Sequence, residues 1–155
     1  KNNRNDNFLN TERKIFKQIF ESGKKFYHIH PGYMYKVRGA DGSLNSIRYN
    51  NKLGRTFFLM NKKIDNGKII FREEIDYKKI YFPLFQNFKI KELYDIWYSF
   101  IDPAIRVSLL KKLINEKINL SNFCKINTNE ENNYFSFLKS DDLSKLFNNS
   151  IFRNE

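Results

Sequence analysis

A chain of 155 residues that holds one cysteine, two histidines, three prolines and six glycines, and by count two alanines and two valines, is short of the residues that mark most familiar sites. Cys124 alone can form neither an intramolecular disulfide nor a cysteine-built zinc site, which points to a buried thiol in a reducing or organellar compartment. No apolar run reaches the length of about 18 residues that a membrane-spanning helix needs. The glycines form no phosphate-cradling pattern, and neither Ser99 nor Ser136 sits in a nucleophile elbow.

The abundant residues are 20 Lys, 21 Asn, 17 Ile and 16 Phe, all written with codons rich in A and T. An AT-rich genome accounts for tracts such as Asn2-Asn3 and Asn148-Asn149 without a functional role. The net charge of +11 is unevenly placed, with +8 in residues 1–60, +2 in 61–100 and +1 in 101–155. A codon bias would spread lysines evenly, so the basic first third points to a polyanionic partner, with nucleic acid phosphate first and an anionic membrane surface second.

The length suits a single domain over residues 1–155. Residues 1–10 are expected to be a mobile arm, and Thr11 to cap a short amphipathic helix carrying Ile15, Phe16, Ile19 and Phe20. Residues 24–75 read as a basic, β-rich part. Tyr33, Tyr35 and Val37 alternate with Met34, Lys36 and Arg38 as in a strand, Gly39 to Ser43 reads as a turn, and Asp65-Asn66-Gly67 as a hairpin turn between the apolar runs Thr56–Met60 and Lys68–Arg72.

Residues 88–118 carry the clearest helical period, with Ile90, Leu93, Ile96, Trp97 and Phe100 on one face and Ile105, Leu109 and Leu113 on another stripe. Asp102-Pro103 reads as a second helix start, so an αα-hairpin is expected here. Residues 119–155 form a C-terminal extension with a last helix from Ser140 carrying Leu143, Leu146 and Phe147. The predicted fold class is α+β: a small antiparallel sheet followed by an αα-hairpin, with flanking N- and C-terminal helices.

Two groups of side chains offer chemistry. His28-Ile29-His30 puts two imidazoles on one side of a strand, but a metal site needs three or four ligands and the sequence has no third histidine, so Pro31-Gly32 reads as a turn into the next strand. Glu73, Glu74, Asp76, Glu92 and Asp95 interleave with lysines and Arg72, as on a solvated surface. More informative are the cations near Phe26, Tyr27, Tyr33, Tyr35 and Tyr49, which pair phosphate contacts with planar groups that stack on unpaired bases. The predicted RNA-binding residues are Arg13, Lys14, Lys17, Lys24, Lys25, Lys36, Arg38, Arg48, Lys52 and Arg55, and Leu93, Trp97, Tyr98 and Phe100 form core or protein interface.

The segment Lys91-Glu92-Leu93-Tyr94-Asp95-Ile96-Trp97-Tyr98 resembles a motif of the mitochondrial branch of the universal large-subunit ribosomal protein that folds as a helical hairpin at the tunnel exit. Glu92, Leu93, Ile96, Trp97 and Tyr98 match in type and spacing, over some thirty residues in all. Lys24-Lys25 followed by His30-Pro31 and Tyr33 is similar to the start of another large-subunit protein. The resemblance implies a non-catalytic structural constituent of a mitochondrial ribosome, on the matrix side, without cofactor or small-molecule substrate, whose partners are ribosomal RNA and neighbouring ribosomal proteins. The alternatives are a soluble protein–protein interaction subunit of another large mitochondrial assembly, and a small enzyme or nucleic-acid-processing factor whose mark is His28 and His30 clustered with carboxylates around an ion.

Overall fold

The computed structural model describes residues 6–11, 17–126 and 129–154. Strand β1 (Asn7–Asn10) is followed by a 3-10 turn (Lys17–Ser22) and β2 (Lys25–His30). The short β3 (Arg38–Gly39) leads into helix α1 (Gly42–Asn50), after which β4 (Leu53–Leu59) and β5 (Lys68–Ile75) form a hairpin. Then come β6 (Ile80–Tyr81), helix α2 (Ile90–Ile96), a π-helical turn (Trp97–Ile101) and helix α3 (Asp102–Asn115). The chain ends through β7 (Tyr134–Phe135), helix α4 (Ser140–Leu146) with its own π turn (Phe147–Ile151), and β8 (Phe152–Arg153).

Four strands form one mixed sheet in the order β1-β2-β4-β5, with β1 parallel to β2 and the other neighbours antiparallel. The hairpin around Asp65-Asn66-Gly67 is present, with Leu59 opposite Lys68 and a register shift between Phe57 and Phe58. Both faces of the sheet's centre are covered. Tyr27, Ile29, Phe57 and Ile70 pack with Leu109 and Leu113 of α3, while Phe58 and Ile69 pack with Met34 and Met60 on the other side. Burying each such side chain contributes about 1.5–3 kcal/mol. Because side chains alternate along β2, placing Tyr27 and Ile29 under α3 turns His28 and His30 to the opposite face, and the His28 ring meets Phe58 edge-on at 5.8 Å.

A third cluster joins Leu44 and Ile47 of α1 to Leu93, Trp97 and Ile105 and to Leu143, Leu146, Phe147 and Phe152 of the C-terminal part. The last helix thus has the start and apolar face that its sequence implies.

The predicted fold class is overturned in four places. The sheet is mixed because the expected arm at residues 1–10 supplies a strand: Asn7–Asn10 runs parallel along Lys25–His28. The helix expected from Thr11 lies largely outside the described residues. Within the part expected to be β-rich, where Gly39 to Ser43 read as a turn, Gly42–Asn50 is helical, with Leu44 and Ile47 one turn apart and both buried. The expected Tyr33 strand is a tight loop instead, closed by the Val37 N–H on the Tyr33 carbonyl at 2.9 Å and the Met34 N–H on the Thr56 hydroxyl at 3.0 Å.

The fourth correction concerns the αα-hairpin. Residues 90–115 form one continuous helix rather than two antiparallel ones, with right-handed helical dihedrals at Trp97, Ile101 and Asp102. Pro103 lacks the N–H that an α-helix would use, and the helix passes it by widening one turn, where the Asp102 N–H bonds the Trp97 carbonyl five residues back. The helical backbone therefore runs on through Asp102-Pro103, where the sequence alone suggests a break.

Candidate active site

His30 ends β2, and its ring is 3% exposed. Its Nδ1 lies 3.6 Å from Asp65 Oδ2, and its Nε2 lies 3.1 Å from the Val37 carbonyl. Asp65 stands in the loop between β4 and β5, has a positive φ of 44°, and also accepts the Gly39 N–H at 3.0 Å. Two glycines let the backbone close on the imidazole. A Cβ on Gly32 would fall 2.6 Å from His30 Nε2, and one on Gly42 would fall 2.8 Å from its Cε1.

Burial pushes the His30 imidazole below its ordinary titration range, against the pull of the Asp65 carboxylate and the Val37 carbonyl. The ring is therefore neutral near pH 7, yet each nitrogen faces an oxygen that accepts a hydrogen bond. A proton taken up by this ring finds an acceptor on both sides, so an imidazolium here is stabilised by its surroundings.

His28, two residues earlier on the same face, accepts or donates differently. Its Nδ1 is 2.8 Å from the Asn10 carbonyl and its Nε2 is 3.4 Å from Arg106 Nη1. Burial lowers its titration range, and the Arg106 charge acts in the same direction, while the Asn10 carbonyl opposes both.

Behind the two imidazoles lies a chain of buried polar groups. The Trp97 indole N–H donates to the Ser43 hydroxyl at 2.9 Å, Ser43 donates to Asp102 Oδ1 at 2.7 Å, and Arg106 Nε donates to Asp102 Oδ2 at 2.7 Å. Arg106 Nη1 also donates to the Ile29 carbonyl between the two histidines, at 2.5 Å. A second anchor is Asp41, 3% exposed, which accepts hydrogen bonds from the Tyr94 and Tyr98 hydroxyls at 2.8 and 2.6 Å and from the Leu138 N–H at 2.8 Å. Burial, with Asp41 beside it, pushes the Tyr98 hydroxyl far above its usual range. These two anchors fix the start of α1, where Gly42 closes on His30, against the long helix.

The predicted RNA-binding residues are scattered. Arg13 and Lys14 lie outside the described residues, as does the Lys17 side chain, and Lys25 is exposed at the start of β2. Lys24 lies over Phe8 at 5.0 Å, Lys36 over Tyr33 at 5.6 Å, and Arg38 over Tyr35 at 5.5 Å. Arg48 pairs with Asp142 at 3.1 Å and Lys52 with Asp76 at 3.4 Å. Arg55 is buried against Glu73 at 2.6 Å, with Lys112 on the other Glu73 oxygen, so this carboxylate is half-buried between two cations and not part of the solvated surface expected for it. Leu93 and Trp97 are core, Tyr98 binds Asp41, and Phe100 is exposed.

Asp65, Asp102, Arg106, Ser43 and Asp41 are not among the site residues expected from the sequence. The signals it did have were the His28/His30 spacing and the glycines at 32 and 42. No group of three or more His, Cys, Asp or Glu side chains placed to hold a metal ion occurs among the described residues, and no helix among them is long and apolar enough to cross a membrane.

No protein-family model and no curated protein matches the sequence. Solved structures do match. The formyltransferase PseJ from Anoxybacillus kamchatkensis, solved in complex with UDP-4,6-dideoxy-4-formamido-L-AltNAc and tetrahydrofolate, superposes with a TM-score of 0.54 at 20% identity, over 86% of this chain and 65% of that one. A 4-N formyltransferase from Francisella tularensis gives a TM-score of 0.54 at 22% identity, over 92% of this chain and 59% of that one. A sugar N-formyltransferase from a Shewanella species gives 0.51 at 24% identity, over 83% and 47%. The chain has a formyltransferase-like fold. It spans about half to two thirds of the length of these neighbours.

This fold overturns the resemblance to the ribosomal helical hairpin and the readings that rested on it. The Trp97-Tyr98 segment matches that motif because any helix buried on one face shows such spacing. Here it lies within a single helix whose indole packs near Phe147 at 6.5 Å. A non-catalytic ribosomal subunit, an RNA-binding keyword set, ribosomal RNA and ribosomal proteins as partners, and the absence of a small-molecule substrate are all corrected by neighbours that are formyltransferases, one of them holding a nucleotide sugar and tetrahydrofolate.

Proposed function

We propose that the chain is the catalytic part of an N-formyltransferase, moving a formyl group from a formylated tetrahydrofolate to the primary amine of a nucleotide-linked amino sugar. The observation that carries this reading is the buried His30–Asp65 pair, 3.6 Å apart, in a fold like that of sugar N-formyltransferases. The substrate classes are those named for one such neighbour.

In this reading the amine nitrogen attacks the formyl carbon, a new C–N bond forms, and the bond from that carbon to the folate nitrogen breaks. The amine's proton passes to the His30 imidazole and from there to the departing folate nitrogen, so protons balance over the cycle. Asp65 stabilises the imidazolium in between. Neutrality of His30 near pH 7 keeps it ready to accept, and its exclusion from water strengthens the Asp65 interaction. Asp65 in turn is aimed by the Gly39 N–H.

Incubating the chain with formyl-tetrahydrofolate and a UDP-linked 4-amino sugar, and following the product by mass spectrometry, tests the reading. A sugar nucleotide heavier by one formyl group, with tetrahydrofolate released in equal amount, is expected. A chain that binds neither substrate by calorimetry and forms no product overturns it.

A further inference from the structure

The two histidines of β2 share a face but have opposite surroundings. The Asn10 carbonyl opposite His28 Nδ1 is an acceptor, so Nδ1 carries the hydrogen. The Arg106 guanidinium opposite His28 Nε2 is a donor with no acceptor capacity, so Nε2 presents its lone pair. His30 has acceptors on both sides, Asp65 and the Val37 carbonyl.

We propose that Arg106 is a positioning residue that fixes His28 in its Nδ1–H tautomer, so that of the two imidazoles it is His30 that takes up the substrate's proton. The proposal rests on the reading of His30 as the base of the transfer. Arg106 is suited to this role by its geometry. Its Nε is held by Asp102, itself 3% exposed and bonded to Ser43, while its Nη1 reaches both the Ile29 carbonyl and His28. A planar guanidinium spans these acceptors at once, whereas a lysine ammonium in the same place reaches fewer of them. The groups facing His28 are the Asn10 carbonyl from β1, the Phe58 ring from β4, Arg106 from α3, Asp65 from the β4–β5 loop and His30 on its own strand. Burial and the Arg106 charge oppose protonation of both rings, but only His30 has the Asp65 carboxylate at 3.6 Å against it, while a protonated His28 would turn a second donor on Arg106. The result is a division of labour between chemically identical side chains: one donates through Nδ1 to the sheet edge, and the other has an acceptor at each nitrogen to hold a proton it takes up.

The chain contains two histidines, so long-range proton–nitrogen NMR on histidine-labelled full chain gives two resolvable ring systems, assigned with His28→Gln. His28 is expected as the Nδ1–H tautomer from pH 6 to 8. Arg106→Lys and Arg106→Gln are expected to mix or reverse that tautomer and to move its titration upward, and to add a second ionisation to the acid limb of the formyl-transfer pH profile, with kcat lowered and KM unchanged. An Nε2–H tautomer at His28 in the unsubstituted chain overturns the proposal without any variant having to fold. So does an unchanged tautomer in Arg106→Lys. Formyl transfer with the wrong His28 tautomer sinks the Arg106 role alone, and the expected tautomer in a chain that transfers no formyl group sinks the reading of His30 as base.

Discussion

Replacing Asp41 with Asn tests how the fold holds the loop against His30. The residue has a φ of 51°, which Asn adopts as readily as Asp, so the backbone cost is small. The substitution keeps the shape but removes the charge. The Tyr94 and Tyr98 hydroxyls both bond Oδ1, and bonds to a charged acceptor are worth about 1 kcal/mol more than neutral ones. The Leu138 N–H bonds Oδ2, and an amide NH₂ in that position would oppose donor to donor, leaving a half-buried donor unpaired at a cost of about 1–3 kcal/mol. The loss should come to about 3 kcal/mol, which for a chain of this size is a fall in Tm of roughly 6–12 °C. Urea unfolding followed by circular dichroism should give a lower midpoint with an unchanged slope. A loss below about 0.5 kcal/mol, the scale of an ordinary surface change, would refute the view that Asp41 ties α1, the long helix and the C-terminal segment together.

Trp97→Ala should cost about 3–5 kcal/mol in the same assay, since the indole is fully buried and its N–H starts the chain through Ser43 to Asp102. Gly32→Ala should abolish formyl transfer, because the new Cβ meets His30 Nε2 at 2.6 Å and the Val37 carbonyl at 2.7 Å, and activity retained in this variant would argue against the cradle. Stability should decline as pH falls below the ordinary histidine value of 6.5, because His28 and His30 are depressed in the folded chain and the unfolded chain binds those protons first. Glu73 adds a second loss at lower pH: burial raises its pKa, but Lys112 and Arg55 outweigh that and hold it below its usual 4.5. Urea midpoints measured across pH check both.

Local features of the fold were legible where local chemistry decides them. The β4–β5 hairpin follows from Asp65-Asn66-Gly67, the last helix from Ser140-Asp141-Asp142, and burial of Trp97 from its helical spacing. What pairing at a distance decides was not legible. Asp65 looked like a turn residue, and nothing within the sequence near His30 announces a partner 35 positions away. The basic first third looked like an open positive surface, yet Arg55 is matched by Glu73, Arg48 by Asp142 and Lys52 by Asp76, all far along the chain. Pro103 read as a helix start because its effect on an α-helix is local and familiar, whereas the π turn that carries the helix past it rests on a hydrogen bond from Asp102 to Trp97 that no local signal announces. The His28-Ile29-His30 spacing puts two imidazoles on one face, a pattern that suggests metal chemistry in the sequence and suits proton transfer only once Asp65 stands beside His30.

His30, supported by Asp65, is the proposed base of formyl transfer. The most direct measurement is kcat/KM for formyl transfer to an amino sugar nucleotide by the unsubstituted chain and by His30→Gln, with unfolding midpoints checked for both. A fall of about a hundred- to ten-thousand-fold in a folded His30→Gln variant is expected, as for loss of a general base. A folded variant within a few-fold of the unsubstituted chain would contradict it.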